Sequence, residues 1–199
     1  MRAWVAAVLM MPLPVTAAEL LSIDVEHEDG VYTMTSETRF DAPIIGVFDV
    51  LTDYEQFDRI SSIYRDSGYV DAAEDGTPRV FTEVRGCVMF FCQTMRRTER
   101  LENDGLVSIR TVLEPEGSDF VFSEAAWSLR EDNEATIVIY TIRMQPAFWV
   151  PPVIGPYMMK RKLAKGGADA IERIEALARQ STTRPADLKA RGLAGFEDG

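Results

Sequence analysis

The sequence predicts an α+β fold in which a curved antiparallel sheet wraps around a long C-terminal helix, in the element order β-α-α-β6-α. Turn signals recur about every 10–12 residues after residue 63, which is typical of an antiparallel meander and not of βαβ units. Residues 153–180 have the apolar spacing of a single helix roughly 40 Å long. A helix of that length must bury its apolar face, and a sheet is the only partner that the upstream residues predict.

Residues 1–18 have the pattern of a secretory signal peptide. Arg2 precedes the apolar run Ala3–Met11, prolines follow, and Ala17 and Ala18 offer small residues for cleavage. An uncleaved membrane anchor is the alternative, but the run is well short of the ~20 residues that a spanning helix needs. We therefore expect an exported protein, periplasmic or secreted, whose domain begins at residue 19.

The composition is that of an ordinary globular protein, with 46% hydrophobic and 27% charged residues among 199. The formal charge of −11 becomes −12 without residues 1–18, because they contain Arg2 and no acid. An acidic surface argues against nucleic acid as a partner, since phosphate binding depends on Lys and Arg. It also argues against electrostatic docking to anionic lipid, so any membrane contact would be hydrophobic. We expect a monomeric domain.

The first half of the domain is predicted to contain one strand and two helices. Residues 20–30 are acidic and mixed, and we assign them no element, whereas the alternation over residues 31–40 predicts a first strand. Pro43 lies in the first turn of a helix, where its missing N–H does no harm. The apolar faces of this helix and of a second short one comprise Ile44, Val47, Phe48 and Leu51, and Tyr54, Phe57 and Ile60.

The second half predicts six strands, the long helix and a tail. Strands are expected within residues 63–73, 79–86, 91–101, 107–113, 120–129 and 136–144. In the fifth of these, the apolar parity changes, which predicts a β-bulge near Ser123 and Glu124. Residues 181–199 contain few apolar side chains, and we expect a mobile tail.

Several motifs resemble the START-like superfamily, also called SRPBCC or helix-grip proteins. Residues 47–57 (VFDVLTDYEQF) resemble the first-helix signature of that superfamily, while Trp127-Ser128-Leu129, a strand ending at Gln145-Pro146 and the long terminal helix fit its second half. The polyketide cyclase/dehydrase and coenzyme-Q-binding branch is the most similar, and the START-like domain would span residues 19–180. The resemblance implies an apolar cavity between the sheet and the C-terminal helix that holds lipids, quinones, sterols or polyketides.

We expect a non-enzymatic protein that binds or transfers a hydrophobic small molecule in this cavity. The expected cavity walls are Val84, Met95, Phe120, Phe122, Trp127, Tyr140, Met144, Tyr157 and Gly166. One alternative is a cyclase- or dehydratase-type enzyme that acts on an aromatic or polyketide-like substrate in the same cavity. A second is a protein-interaction domain that uses an apolar rim.

The two cysteines flank residues 88–91, which are one half of this rim. Cys87 and Cys92 would lie opposite each other in a hairpin, which predicts a disulfide in an oxidising compartment, and two free thiols are the alternative. Their spacing does not suit a metal site, and no metal or cofactor is expected. The rim residues are Val88, Met89, Phe90, Phe91, Phe148 and Trp149. They would close the cavity mouth or contact a membrane transiently, or else pack as ordinary core.

Charged residues on the strands leave two interpretations open. Arg97 and Glu99 share the parity of Met95 and Leu101, while Glu83 and Arg85 share that of Phe81. We expect such charges to pair on the outer face. Alternatively, one pair points inward and hydrogen-bonds a polar ligand group. We assign no catalytic residue, because the only histidine, His27, precedes the first predicted strand and no nucleotide or metal motif is present.

Overall fold

The computed structural model of the chain describes residues 18–88, 91–148 and 155–195. It confirms the predicted class, a large antiparallel sheet combined with a long C-terminal helix. The strands are β1 (Glu19–Glu28), β2 (Val31–Phe40), β3 (Tyr64–Val70), β4 (Arg79–Val88), β5 (Phe91–Asp104), β6 (Ser108–Glu114), β7 (Phe120–Asp132) and β8 (Ala135–Pro146). The helices are α1 (Ile44–Thr52), a short 3-10 helix (Tyr54–Gln56), α2 (Phe57–Ile60), α3 (Gly155–Gln180) and α4 (Pro185–Ala190).

The eight strands form one sheet in the order β1-β2-β8-β7-β6-β5-β4-β3, and every pair is antiparallel. The helices lie against one face, which we call the concave face. The core there joins Phe48 and Val47 of α1 to Leu129, Leu101 and Val80 of three strands. The sheet thus supplies the large apolar partner that the long helix requires.

The structure differs from the sequence prediction at β1, where no element was expected. Leu20, Ile23 and Val25 are half-buried on β1, and a register shift between Leu20 and Ser22 interrupts their alternation. Because β1 is an edge strand, its acidic side chains remain in water and conceal the strand pattern. His27 therefore lies within the first strand, with its ring 4.3 Å from that of Tyr32.

Helices α1 and α3 cross at an unusually close contact. A Cβ atom on Gly46 would lie 2.4 Å from the carbonyl oxygen of Ala178, so only glycine permits this approach. On α3, Ile171, Ile174 and Ala178 are buried, as the helical spacing predicts. Within the described part of the chain, no helix is both long and apolar enough to cross a membrane.

Two local predictions on the strands have different outcomes. The register pairs Cys87 with Cys92, and directly opposite residues are within the Cα separation that a disulfide spans. The disulfide itself stays a prediction. The register shift on β7 lies between Phe120 and Phe122 and not at Ser123 and Glu124. The predicted bulge position is therefore too far along the strand.

The C-terminal segment differs most from its prediction, since residues 181–195 pack on the domain where we expected a mobile tail. Leu188 and Leu193 belong to the buried core. Asn103 receives a hydrogen bond from the backbone N–H of Ala194 and donates one to its carbonyl oxygen, each at 2.8 Å. Two buried leucines are too few to form an apolar pattern, so this docking could not be predicted from the sequence.

Candidate functional site

The register determines which side chains share the concave face, because residues directly opposite in an antiparallel pair project to the same side. Trp127 lies opposite both Ile109 and Tyr140, and the rings of Trp127 and Tyr140 stack with centroids 4.8 Å apart. The next concave pair along the same strands is Leu129 and Val138, which are in the core. The two aromatic rings therefore lie directly beside the closed core.

The structure brings most of the predicted cavity residues to this face. By the same register argument, the concave residues are Val84, Met95, Phe120, Trp127, Tyr140 and Met144. Phe122 lies opposite Gln145 on the other face, where its ring contacts the guanidinium of Arg143. Tyr157 on α3 is 65% exposed. Gly166 is in α3, but its surroundings lie outside the described residues.

Burial along the concave face changes from one end to the other. Leu101, Ile109, Leu129 and Val80 are completely buried. Towards the hairpin that joins β4 and β5, by contrast, the concave side chains are only half-buried, namely Val84, Met95, Trp127, Tyr140 and Met144. Water therefore reaches part of each of these side chains, whereas the rest of the concave face is closed.

Arg97 and Glu99 lie at the boundary between the closed core and the half-buried end of the concave face. Arg97 is opposite the buried Thr82, and Glu99 is opposite the buried Val80, so both side chains are concave. Arg97 Nε is 3.1 Å from Glu99 Oε2. The expectation that these charges pair on the outer face is therefore wrong for this pair. Glu83 and Arg85 do lie on the outer face by strand parity, and their pairing stays a prediction.

Three buried hydroxyl groups complete the hydrogen bonding of this ion pair. Arg97 Nε donates to Thr82 Oγ1 at 3.1 Å, and Arg97 Nη1 donates to Ser123 Oγ at 3.3 Å. Thr111 Oγ1 donates to Glu99 Oε1 at 3.1 Å. A buried charge is tolerated only when it is paired and hydrogen-bonded, and Glu99, whose side chain is 1% exposed, meets both conditions.

Three tyrosines surround the pair and interact with it electrostatically. Burial raises the pKa of Tyr140, nearby Arg97 lowers it, and Glu99 raises it. Burial likewise raises the pKa values of Tyr54 and Tyr64, and both feel the same two charges. The three phenols are therefore neutral at physiological pH. They can donate a hydrogen bond to a ligand oxygen or accept one from it.

Comparisons with known proteins place this arrangement in a fold. No protein-family model matches the chain, and no curated protein matches it either. Among solved structures, a START superfamily protein from Mycobacterium smegmatis matches with a TM-score of 0.57 at 14% identity, over 74% of this chain and 97% of that one. The Zhui aromatase/cyclase from Streptomyces sp. R1128 matches with a TM-score of 0.57 at 14% identity, over 75% and 94%. The chain has the START-like, helix-grip fold.

The structure of Ara h 8.0201 matches with a TM-score of 0.52 at 10% identity, over 76% of this chain and 100% of that one. Identities this low establish the fold and no more. In the START-like fold of this chain, the half-buried concave face and the Arg97–Glu99 pair form the candidate site.

The predicted rim falls mostly outside the described residues. Met89, Phe90 and Trp149 are among the residues that the structure does not describe, as are the side chains of Val88 and Phe91. Phe148, two residues after the end of β8, is half-buried. The interpretation of these residues as a cavity mouth therefore stays a prediction.

A second concavity, a surface groove of about 470 Å³, lies between α1, α2 and α4. Its walls are mainly polar and charged, and they include Asp53, Arg59 and Asp187. Such a groove does not suit a hydrophobic molecule, which favours the concave face as the candidate site. Among the described residues, no three His, Cys, Asp or Glu side chains converge to hold a metal ion.

Part of the site could have been found from the sequence. Arg97 and Glu99 share their parity with Leu101, which is an apolar residue in a strand that must bury one face. A strand that buries Leu101 places Arg97 and Glu99 on the same, inner face, because all three have the same parity. Tyr64 and Thr82 lie in strands with weak alternation, and nothing in their sequence context indicates a site.

Proposed function

We propose that this chain binds and carries a hydrophobic small molecule in the space between its concave sheet and α3. The observation that carries the proposal is the half-buried surface formed by Val84, Met95, Trp127 and Tyr140 on an otherwise closed core. Apolar burial supplies the affinity, and a few convergent polar groups orient the ligand, as is typical of small-molecule sites. Arg97 and the tyrosine hydroxyls are those groups in this proposal.

The proposed setting is extracytoplasmic. It rests on the leader-like residues 1–18 and on the opposed positions of Cys87 and Cys92, which would form a disulfide after export. A carrier in that compartment must take up and release its ligand. The apolar residues 88–91 and 148–149 are the proposed route, through a transient membrane contact.

The test is to purify residues 19–199 and to analyse them by native mass spectrometry and by organic extraction. We expect a recurring small molecule of low polarity, released when the protein unfolds. Repeated recovery of an empty protein that binds no lipid, sterol or quinone from a panel would contradict the proposal.

Two truncations on one strand separate the concave site from nonspecific binding. Trp127→Ala removes a ring from the concave face, and we expect a loss of at least ~10-fold in affinity for the extracted molecule. Phe122→Ala removes a ring from the outer face of the same strand and serves as the matched control. Equal effects of the two substitutions would count against the concave site.

A cyclase- or dehydratase-type enzyme is a second candidate, favoured by the enclosed Glu99 carboxylate beside three tyrosine hydroxyls. Such groups could exchange protons with a bound aromatic or polyketide-like substrate. The enzyme interpretation predicts that the extracted molecule changes its structure on incubation with the protein and not with Tyr140→Phe. Quantitative recovery of unchanged ligand favours the carrier.

A further inference from the structure

The charge of the site's inner end is set by one ion pair that is shielded from water. Glu99 is almost completely enclosed, with Arg97 on one carboxylate oxygen and Thr111 on the other. Arg97 is the more accessible partner, since 15% of its side chain is exposed. Its Nη2 makes no hydrogen bond to any residue that the structure describes, so it can still donate to a ligand.

The other side chains that the structure describes around this pair carry no charge. They include Tyr54 from the 3-10 helix, Tyr64 from β3 and Tyr140 from β8, and burial raises the pKa of each phenol, so that it stays protonated. Thr82, Thr111 and Ser123 add neutral hydroxyls. Over the described residues, the inner end of the site therefore has one cation and one anion, and its net charge is zero.

We propose that Glu99 makes this site selective for an uncharged ligand, one whose hydroxyl or carbonyl oxygen meets Arg97, and that it excludes carboxylates; this rests on the proposed function. A neutral oxygen gains a charge-assisted hydrogen bond from the free guanidinium N–H groups and has little hydration to lose. A carboxylate must give up its hydration and would share the Arg97 guanidinium with Glu99.

The two probes are 2-naphthol and 2-naphthoate, which have the same ring system and differ in charge at pH 7.5. Binding to residues 19–199 is measured by calorimetry. We expect the naphthol to bind at least ~10-fold more tightly than the naphthoate, a ratio that corresponds to 1.4 kcal/mol. The ring system would rest against Trp127 and Tyr140.

The variant Glu99→Gln keeps the shape of the side chain and removes its charge. We expect naphthoate to gain at least ~10-fold in affinity, because Arg97 then lacks an anionic partner, whereas naphthol changes by less than ~3-fold. The matched control is Glu102→Gln on the same strand, whose carboxylate pairs with Arg110 on the outer face. It should leave the ratio of the two affinities unchanged.

A second measurement needs no variant, in case Glu99→Gln does not fold. If only the neutral acid enters, the affinity of the wild-type protein for naphthoic acid rises about tenfold per pH unit as the pH falls from 7 to 5, while that for naphthol stays level. Equal affinities for both probes, together with no such rise, overturn the inference and leave the proposed function standing. Failure of both probes to bind overturns the proposed function and this inference with it.

Discussion

Arg97 has two roles in this molecule. Its guanidinium compensates the charge of the enclosed Glu99 carboxylate, and it also lies at the half-buried end of the concave face. A buried ion pair contributes little net stability, but loss of one partner leaves an uncompensated charge. Arg97 thus connects the stability of the domain to the chemistry of the site.

Replacing Arg97 by methionine should lower the free energy of unfolding by about 3 kcal/mol, because Glu99 loses its cation in an enclosed position. The double variant Arg97→Met/Glu99→Leu should be less destabilised than the single one. Urea unfolding measures both. Arg110→Met is the control: Arg110 pairs with Glu102 and Glu124 on the outer face, and its loss should cost less than about 1 kcal/mol. Equal losses for the two single variants would contradict the assignment of Arg97 to the interior.

Tyr69 predicts a pH dependence of stability. Burial is the largest cause that raises its pKa to about 12, although nearby Arg191 lowers it. The folded state therefore keeps a proton that the unfolded chain, with a tyrosine pKa near 10, has lost. Stability from this group is complete below pH 10 and is lost as the pH rises towards 12, by at most about 1.4 kcal/mol per pH unit.

The variant Tyr69→Phe isolates this effect. Its loss of the hydrogen bond to the carbonyl of Thr52, 2.7 Å long, should cost about 1 kcal/mol at pH 8. Above pH 10, the free energy of unfolding should fall less steeply with pH for the variant than for the wild type. The difference between the two slopes should correspond to about one bound proton. Urea unfolding between pH 8 and 11 gives both quantities, and identical slopes would show that Tyr69 ionises normally in the folded protein.

At the scale of elements, the crossing of α1 and α3 depends on Gly46. Gly46→Ala places a methyl group 2.4 Å from the carbonyl oxygen of Ala178, so the helices must separate. We expect a loss of about 1–3 kcal/mol in urea unfolding despite the better helix propensity of alanine. Asp58→Ala, on the exposed side of α2, is the control and should stay within about 0.5 kcal/mol. An unchanged or raised stability for Gly46→Ala would show that the helices cross further apart.

Helix α4 gives a second prediction, because it supplies a core residue, Leu188, after the long helix has ended. The side chain of Leu188 is 0% exposed, and Leu188→Ala should cost about 2–5 kcal/mol in urea unfolding. The same substitution at Leu21, which is 44% exposed on β1, should cost less than about 1 kcal/mol. A mobile tail would instead make Leu188→Ala as mild as Leu21→Ala.

At the scale of the whole molecule, periodicity predicted the fold class because most elements bury one face. Strand β2 is found at the predicted residues 31–40, since its alternation is uninterrupted. Strand β1 was missed because acids occupy its solvent side and a register shift breaks its alternation. The docking of α4 was missed because it depends on two isolated leucines, Leu188 and Leu193.

The candidate site was predicted in part. The residues that were placed wrongly are those whose strand face was assigned wrongly. A strand's alternation separates two faces without saying which one is concave, so Arg97 and Glu99 could be placed on either side. The position of the β7 bulge then decides the face of Phe122, and an error of a few residues was enough to reverse it. The tyrosines that surround the ion pair come from three separate elements, and their proximity depends on tertiary structure alone.

The measurement that tests the central claim most directly is a crystal structure of residues 19–199 with 6-bromo-2-naphthol, located by the anomalous signal of bromine. We predict a bromine peak between the concave sheet and α3, with the ring against Trp127 and Tyr140 and the oxygen within hydrogen-bonding distance of Arg97. A peak in the polar groove near Asp53 and Arg59, or on the outer face near Phe122, with none on the concave side, would contradict the account.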